Sequence, residues 1–140
     1  MVARNVSGMP YVTFVDETTA GERSAGRVLD ITGERTTPRE LIRRRVRHEV
    51  AEYNAGTPRV FRGLVQPERA ERVPGGHAMP GPGPGHVDAD AQVERALRAF
   101  QGNGFLLLVG DRQTTELDEE IELTADTEVT FLRLVALVGG

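Results

Sequence analysis

The residues with the most specific chemistry in this chain are its last two, Gly139-Gly140, which follow the apolar run from Val129 to Val138. Glycine makes up about 7% of average sequence, so two at the final positions arise by chance in roughly 0.5% of chains. Without a Cβ, such an ending lets extended backbone slide through a narrow enzyme channel. It then presents a bare carboxylate for activation. On that reading the end of the chain is the reactive site and the rest is a handle that enzymes grip. The competing reading is a strand that simply finishes in small residues, as frayed ends do.

Few other residues are candidates for chemistry. The run Arg43-Arg44-Arg45-Val46-Arg47, with Arg39, puts Arg39, Arg43 and Arg47 along one helical face. They form either a docking patch for an acidic or phosphorylated partner, or a solvated face balanced by Glu40, Glu49 and Glu52. Glu116, Asp118, Glu119 and Glu120 lack the alternating oxygens and glycine turn of a calcium loop, which favours a solvated connection. Histidines 48, 77 and 86 are scattered, so no metal site is expected. Ser7 and Ser24 are the only serines and neither sits in a nucleophile elbow. The only glycine-rich stretch alternates with proline and lacks the lysine of a phosphate loop. With no cysteine, disulfides, thiolate ligands and a cysteine nucleophile are excluded. The chain is expected not to be an enzyme.

Bulk composition frames these sites. A length of 140 residues suggests one domain with a modest core. The hydrophobic fraction is 39% and the charged fraction 27%, as in soluble globular proteins. A net charge of −4 argues against nucleic acid as partner. No apolar run reaches a membrane span, and no apolar segment follows Arg4 as a secretory signal requires. A cytoplasmic location is expected.

The elements that must position the tail can be read in order. Residues 1–9 form a flexible arm. Tyr11–Val15 and Ala25–Thr32 read as a hairpin around turn residues Asp16–Gly21. Thr37, Pro38 and Glu40 have the types of an N-cap, a first helical residue and a capping box. Ile42, Val46, Val50 and Tyr53, beside Leu41, make one apolar stripe, and Asn54–Gly56 end that helix. Six of the eight prolines fall between residues 56 and 87, so 73–87 is expected to be a flexible excursion. Val60–Val65 is apolar enough to dock back, as a short strand. Asp88 or Asp90 caps a second helix carrying Val93, Leu97 and Phe100, closed by Gly102 or Gly104. Phe105–Val109, a Gly110-Asp111 turn and Arg112–Leu117 form a second pair, and Val129–Leu137 is the last strand. Leu117, Ile121 and Leu123 can tuck inward. Near-continuous apolar residues in Phe105–Val109 and Phe131–Val138 predict strands covered on both faces.

Hairpin, helix, excursion, helix, returning pair and final strand resemble a ubiquitin-like chain, most closely over Gly104–Gly140. There the apolar strand, small turn, acidic leucine-bearing connection, apolar strand and diglycine follow in the same succession. The tail Val135-Ala136-Leu137-Val138 is similar to those of the bacterial sulfur carriers of thiamine and molybdopterin synthesis. The resemblance implies an α+β, β-grasp fold with a mixed sheet, one main helix, an extra second helix and a Pro/Gly-rich excursion. It implies one domain over 10–140, with an insertion at 56–103 and a tail at 136–140. It also implies a role as protein modifier or sulfur carrier, with Gly140 adenylated and Gly139 in the enzyme channel. Leu134, Leu137 and Val138 would grip the adenylating enzyme, which would use ATP; this chain would bind no cofactor of its own. The partner after that would be a sulfur acceptor or a target protein. A β-grasp adaptor that binds a protein through its sheet face is the alternative.

Overall fold

Both β-branched and aromatic runs near the start become strands, β1 (Tyr11–Thr18) and β2 (Arg23–Asp30). The computed structural model describes residues 11–30, 35–56, 60–79, 86–124 and 126–134. The chain divides into two compact units, Met1–Pro38 with Phe100–Gly140, and Arg39–Ala99.

In the first unit the strands of the hairpin are longer than the residue types predict. Asp16–Thr18 and Arg23-Ser24 belong to strands, because Glu17 faces Arg23 across the ladder and pairs with its guanidinium at 3.2 Å. The turn is narrowed to residues 19–22, where Thr18 Oγ1 accepts from the Ala20 and Glu22 amides. Two further pairs complete the unit's strands. They are β6 (Phe105–Val109) with β7 (Arg112–Thr114), and β3 (Arg35–Thr36) with β8 (Ile121–Glu122). β9 (Thr127–Arg133) starts two residues earlier than its apolar run suggests, since Thr127 Oγ1 closes the preceding turn onto Thr124. The mixed sheet has the order β2-β1-β9-β6-β7, with β9 parallel to β1 and antiparallel to β6.

Registry sorts the side chains of this sheet onto two faces. Val12, Phe14, Leu107, Val129 and Phe131 share one face and are buried. Rings continue that core, with Phe14–Phe131 at 5.2 Å, Phe131–Phe105 at 6.1 Å and Phe105–Phe100 at 6.0 Å. Each buried phenylalanine contributes on the order of 1.5–3 kcal/mol. Leu117, Ile121 and Leu123 tuck inward as expected. The other face departs from expectation. Leu106 and Leu108 are only partly buried, so β6 is not covered on both sides.

In the second unit, α1 (Pro38–Ala55) begins at the expected proline and buries Leu41, Ile42, Val46, Val50 and Tyr53. Arg45 and Glu49 are buried too, rather than part of a solvated face; their side chains are 6% and 7% exposed and meet at 2.9 Å. Phe61 docks edge-on against Tyr53 at 5.4 Å, joined to the body by one bridge to His77 instead of a strand. The expected excursion is partly ordered. β4 (Glu71–Val73) and β5 (Gly76–Ala78) form a hairpin, and the bridge from Phe61 gives β5 a second anchor. Residues 80–85 lie outside the described residues. Asn54 holds Val87 through both of its amide atoms, at 3.1 and 3.0 Å. α2 (Ala89–Gln101) is capped by Asp88, whose carboxylate accepts from the Asp90 amide at 3.0 Å. At its other end the left-handed residue is Asn103 (φ 62°), not a glycine.

Candidate functional site

β9 is the middle strand of the five-stranded sheet. The Thr19 amide donates to the Arg133 carbonyl at 3.0 Å and ties the end of β9 to the β1–β2 turn. Leu134 follows, half exposed. Leu137, Val138, Gly139 and Gly140, the expected grip and activation residues, lie outside the described residues.

The arginines of α1 lie elsewhere. Arg39, Arg43 and Arg47 are all exposed. Arg47 reaches Asp90 on α2 at 2.6 Å, and Arg43 lies 3.7 Å from Glu40 on its own helix. Arg43 and Arg47 are therefore engaged in ion pairs, and Arg39 is not free either. Such surface pairs contribute roughly 0.2–1 kcal/mol each.

The adaptor alternative calls for an open sheet face, and the residues of such a face, which the sequence did not single out, lie opposite Phe14 and Phe131. Registry aligns Leu106 with Leu132, Leu108 with Thr130, Glu17 with Leu132 and Thr13 with both Glu128 and Val28. All share this face. Val28 is 59% exposed. Leu106, Leu108 and Leu132 are half-buried. Arg23 lies across the strands, donating to Glu17 at 3.2 Å and to Glu128 at 2.8 Å. The hydrogen bond and charge of Glu128 hold the Arg23 guanidinium above its ordinary pKa, with Glu17 adding to the effect. A shallow depression of about 270 Å³ lies beside this bridge, lined by Leu108, Thr130, Leu132, Glu128 and Asp111. In the sequence only Glu128 and Thr130 alternate with Val129 and Phe131; Leu132 and the apolar run of β6 break the period and conceal this face.

The acidic connection is built as a closed loop. Glu119 accepts from the Thr115 and Glu116 amides at 2.8 and 2.9 Å and from Arg112 at 3.1 Å. The two backbone donors, followed by Arg112, hold its carboxyl below the ordinary glutamate range. It is thus a loop fastener, with its oxygens already occupied. Among the described residues no group of histidine, aspartate and glutamate is arranged to hold a metal ion.

The chain matches no family model, no curated protein and no solved structure. Among the described residues no helix is long and apolar enough to cross a membrane.

Proposed function

We propose that the protein is a β-grasp carrier of the ubiquitin-like kind, either a protein modifier or a sulfur carrier, and not an enzyme. The observation that carries this reading is the pairing of the first and last strands. A β-grasp sets its final strand beside its first, and β9 runs parallel to β1 at the centre of the sheet. Gly139-Gly140 follows this central strand in sequence. In the reaction an adenylating enzyme binds the tail through Leu134, Leu137 and Val138. The Gly140 carboxylate attacks the α-phosphorus of ATP and pyrophosphate leaves. Sulfur or an amine then attacks the acyl carbon and AMP leaves. The need for ATP assigns this step to the cytoplasm.

The test begins with intact mass, since the reading requires Gly140 to carry the free carboxylate. The full chain is then incubated with ATP and an adenylating enzyme encoded nearby, and pyrophosphate release is followed. Release should vanish when Gly139-Gly140 is deleted, while circular dichroism is unchanged. The same adduct on the truncated protein would refute the reading. A second reading, non-covalent docking through the sheet, is favoured by the exposure of Val28 and the half-buried Leu106, Leu108 and Leu132 on one face.

A further inference from the structure

We propose that the sheet face bearing Leu106, Leu108 and Leu132 docks a protein segment in which a lysine or arginine is flanked by apolar side chains. The inference deepens the docking reading and is independent of whether Gly140 is activated.

Charge on this face selects the partner. Glu17, Asp111 and Glu128 line the depression against only Arg23, and Glu22 lines a separate hollow toward the other end of the strands. Arg23 is already committed to Glu17 and Glu128. The carboxylates of Asp111 and Glu22 take no partner among the described residues. The chain's net charge is −4, and the depression carries three carboxylates against one guanidinium. An acidic segment is repelled here and a basic one is steered in.

Shape narrows the choice further. A depression of about 270 Å³ accommodates one long side chain rather than a compact ligand. Its floor is Leu108 and Leu132 and its rim is Asp111 and Glu128. A lysine or arginine can lay its aliphatic stem along the leucines and set its charged head against Asp111. Apolar neighbours in the same segment then cover Leu106 and Val28, which face the same way. A second copy of this chain is a poorer occupant, since its own net charge of −4 is repelled by an acidic face.

The test is selection of a random peptide library on the full-length protein, with the selected peptides mapped by amide chemical-shift changes. Enriched peptides should combine lysine or arginine with apolar residues and weaken as salt rises. Shifts should cluster at residues 106–111 and 128–132. Asp111→Asn, a turn-compatible change, should weaken binding about two- to fivefold, as rim charges do. Leu108→Glu should weaken it by about tenfold or more, with circular dichroism confirming that it folds. Binding should be unaltered by deletion of Gly139-Gly140, which separates this proposal from the activation reading. Enrichment of acidic peptides, shifts that map elsewhere, or no enrichment over Leu108→Glu would each overturn it. So would sedimentation showing that the face pairs with a second copy.

Discussion

Glu49 is the residue whose loss the second unit should tolerate least. Its Oε2 accepts from Arg45 Nε at 2.9 Å, and its Oε1 accepts from the Leu64 amide at 3.1 Å. Both charged side chains are at most 7% exposed. Glutamine at this position keeps the shape but offers one carbonyl oxygen where two donors need acceptors. Whichever way the amide turns, Arg45 or Leu64 loses its bond to this side chain, and the buried guanidinium loses the charge of Glu49. Breaking a buried pair by removing one partner costs about 3–5 kcal/mol. The readout is hydrogen exchange at the Leu64 amide, which reports opening of the 61–65 segment from α1. At about 1.4 kcal/mol per tenfold, the lower figure corresponds to exchange roughly a hundredfold faster. Replacing both partners, as Arg45→Met with Glu49→Leu, removes both buried charges and leaves the Leu64 amide without this acceptor. That remainder is about 1–3 kcal/mol. The double variant should therefore be more stable than Glu49→Gln alone. The reasoning fails if Glu49→Gln leaves Leu64 exchange within about threefold of the parent, or if the double variant is the less stable of the two.

Acid should loosen the 112–120 loop in a directed way. Because Glu119 has its pKa lowered in the folded state, its contribution is complete above the ordinary value of 4.5 and is lost as pH falls through the depressed folded value. Glu119→Gln should flatten the acid limb of urea midpoints measured across pH 3–6, and an unchanged slope would count against the fastener role. At Gly63 an added Cβ would press into the Phe61 ring and stand 3.0 Å from Glu49 Oε1. Gly63→Ala should therefore cost about 1–3 kcal/mol in chemical denaturation, as overpacking does. Asp88→Ala removes the cap of α2 and should cost about 1 kcal/mol, whereas Asp90→Ala should leave that cap intact.

Much of the local structure was legible because local chemistry is strong at those positions. Thr37-Pro38 sets the start of α1, and the stripe from Leu41 to Tyr53 fixes its buried side. Gly110 at φ 60° supplies the turn between β6 and β7. Where elements depend on partners far along the chain, residue types misled. β3 is two residues long and exists through its pairing with β8, 85 positions away in sequence by Thr36 and Ile121. The hairpin of β4 and β5 sits in a proline-rich stretch that reads as coil, and its bridge to Phe61 helps hold it in place.

The sequence by itself determines the ends of the helices, the tight turns, the apolar stripe of α1 and the Gly139-Gly140 ending, because each depends on residues a few positions apart. Tertiary structure alone decides the place in the sheet of the strand that precedes that ending. The parallel seam of β1 and β9 joins residues more than a hundred positions apart, and that pairing makes the last strand the central one. It also decides the fate of charges that look alike in the sequence. Arg45 is sealed against Glu49, Arg47 is drawn to Asp90, and Arg23 bridges β2 to β9 through Glu128. A side chain's charge is written in its type, but its solvation and its partner are set only when distant strands and helices meet.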